Sequence, residues 1–400
     1  MSVLAKRVLE MAPSATLGMS QRSREMQERG IDVISLSVGE PDFNTPEVIK
    51  QAGIDAINNN FTHYPPVPGY MDLRKAICAK LTRDNKLTYS PNQIIVSNGG
   101  KHAIINVLLA MINPGDEVII PAPCWVSYPE MVKFVEGTPI LVHAGIEDDF
   151  KITPEKLEAA ITPKTKLLIF NSPSNPTGMV YSREELKAIA DVLAKHPDVY
   201  VLSDEIYEYI VFESKFESLA QFEEIKARVI IMNGVSKGYA MTGWRIGYIA
   251  APVEIASACN KIQGQMTSAA SSIAQKAAVA ALMQDPTKSE DLKNMVATFR
   301  KRRDMMIEKL REIPGFKVNV PTGAFYIFPN IEGLIGKKFN GKEITCGDDL
   351  ANFLLDEGHV ALVGGDSFGD PHSIRISYAT SEDKLMESAR RIKEAVAKLQ

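Results

Sequence analysis

Residues 166–207 read KLLIFNSPSNPTGMVYSREELKAIADVLAKHPDVYVLSDEIY, and this stretch decides the fold. KLLIF and VYVLSD are short apolar runs with β character. Between them, SREELKAIADVLAKH (182–196) sets Leu186, Ile189, Ala190 and Leu193 at helical spacing, with Ser182 as N-cap and Glu185 three residues later. Strand, helix and strand in this order predict parallel strands joined by a covering helix. The same alternation continues outward through QIIVSNGG (93–100), DEVIIPAP (116–123), TPILVHA (138–144), RVIIMNG (228–234) and GYIAAP (247–252). The expectation is an α/β chain whose central sheet is mostly parallel and covered by helices. Near residue 280 the pattern changes. SEDLKNMVATFRKRRDMMIEKLREI (289–313) reads as one long helix stopped by Pro314-Gly315, followed by a β-like GAFYIFPN and a charged helical tail. A large domain over 46–285 and a smaller α+β domain over 286–400 follow, with residues 1–45 joining the smaller one because so short a segment cannot bury its own core.

Composition narrows the function classes. The 400 residues suffice for two domains, each with a core. Lysine and arginine number 45 against 49 acidic residues, so no strong field attracts nucleic acid or an anionic membrane. Cys78, Cys124, Cys259 and Cys346 form no CxxC pair, and the six histidines lack metal-ligand spacing. Neither a metal site nor a disulfide framework is expected. MSVLAKRVLEMAPS lacks the apolar core of a signal peptide, and no uncharged apolar stretch approaches the ~20 residues of a membrane span. A cytoplasmic enzyme of small molecules is the expectation.

Three of the strand-like runs end in polar residues of different chemistry. KLLIF leads to Asn175, VYVLSD ends at Asp204 with Tyr207 beyond, and RVIIMNG leads to Lys237 within NGVSKGYAMTGWRIG, which also holds Arg245. In open parallel sheets, ligands sit in the crevice beyond the carboxyl ends of the strands, so one crevice would collect these groups. An aldehyde cofactor on a pyridine ring needs an amine for a Schiff base, a carboxylate at the ring nitrogen, donors to the ring oxygen and a cradle for its phosphate. Lys237, Asp204, Tyr207 with Asn175, and Arg245 are suited to these tasks in turn. In SNGGKHAIINVLLAM (97–111), Gly99 and Gly100 precede a helical pattern, whose N-terminus offers free amides to the phosphate. SNGGKH does not have the GxGxxG spacing of a dinucleotide-binding dehydrogenase.

Taken together, NPTG, SDEIY, SKGYAMTGWRIG and IRISYAT resemble the class I aminotransferases of the aspartate aminotransferase type, over almost the whole chain from VGEPDFNTP (38–46) to Thr380. The resemblance implies pyridoxal-phosphate (PLP) fold type I, with the cofactor held covalently on Lys237, and a ping-pong transfer of an amino group between an amino acid and a 2-oxo acid. It implies that Arg375 binds the substrate α-carboxylate, for which a guanidinium fork is suited, and that the Gly39 backbone lies beside it. It further implies a homodimer with shared active sites, in which Tyr64 of HYPPVPGY reaches the cofactor phosphate of the partner subunit. On the same scaffold, carbon–sulfur lyases are an alternative outcome. A PLP-binding regulator is disfavoured, since such proteins carry a DNA-binding domain and only ~40 residues precede the resemblance.

Each residue also has a plain structural reading: Asp204 and Asn175 as turn residues, Tyr64 and Trp125 as core or rim aromatics, Arg375 as one half of an ion pair. Lys101 is the most informative of these. A cation in the first turn of a helix opposes the helix dipole by ~0.3 to 1 kcal/mol, so it calls for an anion nearby. The cofactor phosphate is one candidate. Resemblance to a branch sharing the GGK motif and a WVSYPEM segment (125–131) implies instead that Lys101 binds the distal carboxylate, with Trp125 over the cofactor ring. No arginine occurs between Lys261 and Arg300, where the best-known branch reads that carboxylate. Aspartate and glutamate, with oxaloacetate and 2-oxoglutarate, are the expected substrates, with an aromatic or prephenate-type acceptor as the alternative.

Overall fold

Seven strands form the central sheet: β1 (Ile94–Asn98), β2 (Glu117–Ala122), β3 (Thr138–His143), β4 (Thr165–Asn171), β5 (Tyr200–Asp204), β6 (Val229–Gly234) and β7 (Ile246–Ala250). They fall on the seven runs read from the sequence. The computed structural model describes residues 3–9, 11–213 and 215–400; Met1, Ser2 and Glu10 of the N-terminal segment 1–45 lie outside the described residues. The spatial order is β1-β7-β6-β5-β4-β2-β3. Neighbours pair in parallel except β7, which runs antiparallel to both β1 and β6. The chain is thus α/β with a mostly parallel sheet, as the sequence leads one to expect.

Strands buried on both faces read as continuous apolar runs. In β4, Leu168 and Phe170 pack into one core layer, and Leu167 and Ile169 into the other. Ser182 and Glu185 close a capping box that starts helix Arg183–Ala194, and Leu186, Ile189, Ala190 and Leu193 are its buried face. On the opposite face, helix Gly100–Met111 buries Ala103, Ile104, Val107 and Leu108. The amphipathic spacing therefore sets which side of the helix meets the sheet.

A second core joins helices Glu290–Arg311, Gly347–Gly358 and Glu382–Val396 to a three-stranded antiparallel sheet in which Ile374–Ser377 lies between Val363–Gly364 and Tyr326–Ile327. Ile34–Ser35 pairs in parallel with Val360–Ala361, and Ile34 and Leu36 pack into that core. This pairing delivers Gly39, and the middle strand delivers Arg375, to the carboxyl edge of the large sheet. Behind that edge, Lys80 and Glu208 form a fully buried ion pair. Glu208 also accepts from Asn233 Nδ2 at 2.8 Å and Asn85 Nδ2 at 2.9 Å. A buried pair is tolerated only when its remaining hydrogen-bonding groups are satisfied. Here that requirement ties the segment after β5 to β6, and so the chain carrying Tyr207 to the chain leading to Lys237.

Candidate active site

A cavity of about 280 Å³ opens at the carboxyl edge of the sheet. Asn175 follows β4, Asp204 ends β5, and Lys237 follows β6, and all three line it. Because β7 is antiparallel, its N-terminal end reaches the same edge and brings Arg245 beside the start of helix Gly100–Met111. Gly39, Gly100, Lys101, Trp125, Tyr207 and Arg375 complete the sequence-derived residues on the cavity wall. Gly99 stands directly behind Arg245. Its φ is 85°, which favours glycine, and a side chain there would displace the Arg245 guanidinium. Tyr64 is not brought to the cavity: its side chain is 96% exposed on the single chain.

Of the two central groups, Asp204 is buried and Lys237 partly buried, and both have shifted pKa values. The Asp204 carboxylate accepts from Tyr128 OH at 2.6 Å and from the Ile206 backbone N–H at 3.2 Å. Burial raises its pKa to about 6, against the lowering effects of those two donors and of Lys237. Lys237 Nζ donates to the Gly39 carbonyl at 2.5 Å. Burial lowers its pKa to about 8, and the Arg375 and Arg245 cations add to that while Glu40 and Asp204 oppose it. Asp204 is therefore mostly ionised at neutral pH, and Lys237 is within reach of its neutral, nucleophilic form.

Arg375 is 1% exposed. One of its guanidinium nitrogens donates to Asn175 Oδ1 at 3.0 Å and another to the Ser37 carbonyl at 2.6 Å. Its Nε has no partner, and among the described residues no carboxylate pairs with it. The guanidinium is stacked on Tyr326 at 4.8 Å and Phe368 at 4.9 Å. A buried cation held by neutral acceptors and aromatic faces is poised for an anion from outside. Gly39 lies so close to Tyr326 that a Cβ would stand 2.6 Å from its hydroxyl, and that hydroxyl is 2.8 Å from the hydroxyl of Tyr207.

At the mouth, the Lys101 ammonium sits 4.8 Å from the centre of the Trp125 ring. Partial desolvation by the mouth walls and the nearby Arg245 lower its pKa, and among the described residues no carboxylate pairs with it. The cavity also has members that sequence reasoning passed over: Tyr128, Asn171, Ser236 and Tyr326, with Ser14, Thr16 and Leu17 at the rim. Asn171 Nδ2 donates to the Asp204 carbonyl at 3.0 Å, and its Oδ1 accepts from the Asn175 N–H at 2.9 Å. Tyr128 lies in WVSYPEM, three residues after Trp125. Ser236 directly precedes Lys237. Only contact across elements reveals these residues.

The model of the family Aminotransferase class I and II matches residues 31–392. A probable aspartate/prephenate aminotransferase of Rhizobium leguminosarum bv. phaseoli is 50% identical over 98% of each chain, and an aspartate/prephenate aminotransferase of Cereibacter sphaeroides is 48% identical over the same shares. The crystal structure of the aspartate aminotransferase from Rhizobium meliloti superposes with a TM-score of 0.96 at 43% identity, covering 100% of both chains. With its sheet order, its edge cavity and this full-length likeness, the chain belongs to aminotransferase class I and II.

Proposed function

We propose that this aminotransferase moves the amino group between L-aspartate or glutamate and 2-oxoglutarate or oxaloacetate, with pyridoxal 5′-phosphate carried covalently on Lys237. The observation that carries this reading is Arg375, a buried guanidinium with no carboxylate partner among the described residues, in the same cavity as the partly buried Lys237 amine and the buried Asp204 carboxylate. The residues fit the cofactor: Asp204 for the ring nitrogen, Tyr207 and the free amide nitrogen of Asn175 for the ring oxygen. For the phosphate there are the Gly99–Gly100 backbone at the start of helix Gly100–Met111 and the Arg245 guanidinium. When bound, the cofactor supplies an aldehyde for the amino group and an electron-accepting ring that eases loss of the Cα proton.

The chain's own residues do the rest. Arg375 grips the substrate α-carboxylate through its fork and, with the Gly39 backbone beside it, fixes which Cα bond faces Lys237. Lys237, with its pKa drawn down to about 8, would take the Cα proton on its Nζ and give it back on the cofactor's side. Asp204, mostly charged at neutral pH, would hold a proton on the ring nitrogen. Trp125, which lines the cavity beside Lys101, would form a wall over the ring. Lys101, at the open mouth with no carboxylate of its own among the described residues, takes the distal carboxylate of a dicarboxylic substrate.

Several coarser features fit the same reading. We take residues 46–285 as the cofactor-binding domain, and 286–400 with 1–45 as the smaller one, a division supported by the second core's gathering of Ile34 and Leu36. No helix among the described residues is long and apolar enough to cross a membrane. The four cysteines are free, in keeping with a reducing cytoplasm. We infer a homodimer in which the exposed Tyr64 of one protomer reaches the cofactor phosphate of its partner. A second reading is favoured by the relatives' names: prephenate as a further amino acceptor.

Mixing the purified holoenzyme with single amino acids, and following both the cofactor absorbance and the released oxo acid, tests the function. Aspartate and glutamate should convert the cofactor stoichiometrically; silence with both would overturn the proposal. Lys101→Ser should lower kcat/KM for aspartate by roughly 10- to 100-fold, the cost of one charge-assisted hydrogen bond. Alanine and aromatic substrates should be spared. Equal losses across all of them would place Lys101 at the phosphate instead.

A further inference from the structure

We propose that Tyr128 is a positioning residue that acts through Asp204 and decides on which side of the Asp204–ring contact the proton rests. This deepens the reading of Asp204 as partner of the cofactor's ring nitrogen, and it rests on that reading.

The contact is short and dry. Tyr128 OH donates to Asp204 Oδ2 at 2.6 Å, and the tyrosine is 2% exposed. Its ring is fixed edge-on against Trp125, with centroids 5.3 Å apart and planes at 88°. Its backbone N–H donates to the Trp125 carbonyl at 3.0 Å, just where helix Ser127–Phe134 begins. These contacts hold the ring so that its hydroxyl meets Asp204 Oδ2. Burial and the neighbouring carboxylate push its own pKa well up, so it stays protonated and acts as a donor.

A proton shared between a ring nitrogen and a carboxylate lies on the nitrogen only while the carboxylate is the weaker base. Burial works against this, since it makes Asp204 more basic. Two donors oppose burial: the Ile206 N–H on one oxygen and the Tyr128 hydroxyl on the other. The titratable groups facing Asp204 are Tyr128 from its helix, Tyr207 from the loop beyond β5, and Lys237 from the loop beyond β6. Cys124 lies behind Tyr128, with its thiol pushed up to about 12 by burial. Of these neighbours, Tyr128 is the side chain that hydrogen-bonds the carboxylate, and its hydroxyl can be deleted without changing the shape of the ring.

The test uses holoenzyme loaded with cofactor labelled with ¹⁵N in the ring, for wild type, Tyr128→Phe, Asp204→Asn and the double variant. Wild type should show a protonated ring nitrogen on both sides of neutrality. In Tyr128→Phe the ¹⁵N shift should move toward the neutral pyridine value, and kcat should fall roughly tenfold, as for loss of one hydrogen bond to a charged group. In the Asp204→Asn background the same deletion should change kcat less than about twofold, because the residue acts through the carboxylate. A merely structural tyrosine would lower Tm and act equally in both backgrounds. An unchanged ¹⁵N shift in Tyr128→Phe overturns the inference and leaves Asp204's role standing. A neutral ring nitrogen in wild type would overturn both together.

Discussion

Lys237→Ala is expected to abolish turnover, with a loss on the order of 10⁴-fold or more, because one amine serves as both the covalent anchor and the proton carrier. The fold should survive. Among the described residues the Lys237 side chain makes one hydrogen bond, to the Gly39 carbonyl, and its removal takes a desolvated cation out of a wall that already holds Arg375 and Arg245. Borohydride treatment of the yellow wild-type holoenzyme should fix the cofactor to the peptide containing residue 237, and the alanine variant should show no such label. The buried environment adds a kinetic signature. Only the neutral amine attacks an aldehyde, and burial brings Lys237 to a pKa of about 8. Cofactor capture by the cofactor-free protein should thus speed up as pH rises and level off above about 8. Full activity in the alanine variant, or a label on Lys101 instead, would remove Lys237 from the mechanism.

The sequence made much of this arrangement legible because the sheet's strands are buried on both faces and so read as apolar runs. With Asn175, Asp204 and Lys237 at the ends of such runs, the geometry of a parallel sheet requires them to share an edge. The direction of β7 had no comparable signal. Its residues Ile246–Ala250 are as apolar as those of a parallel strand, and only the pairing of Asn98 with Ile246 shows why Arg245 stands next to Gly99. Tyr128, Asn171 and Tyr326 were hidden for another reason. Each acts across a gap between elements far apart in sequence, and tyrosine or asparagine in isolation reads as core or turn. Lys80 and Glu208 would pass as solvated charges on any composition argument, and their burial shows only after the helix Met71–Asn85 is packed against the sheet.

Asp204→Asn should keep the cofactor bound while slowing turnover by roughly 10²-fold or more, the scale of lost transition-state electrostatics in a water-excluded site. The amide preserves the side chain's shape and can still accept a hydrogen bond from Tyr128 or Ile206, so a loss of rate reports charge rather than packing. The reason for the loss is differential. A charged Asp204 matters most when the Cα proton has left and the ring must accept the electrons, and much less in the resting complex. Cα-deuterated aspartate should accordingly show a larger isotope effect in the variant, as proton removal becomes the slow step. The pH dependence supplies an independent check. Asp204 is raised to about 6 by burial, so below that value the wild-type carboxylate becomes neutral and loses its attraction for a protonated ring. Wild-type cofactor affinity should weaken as pH falls through about 6, and Asp204→Asn should lack that transition. A variant with normal rate and the same acid weakening would mean that another group protonates the ring, and Asp204 would then be a buried carboxylate held for structure alone.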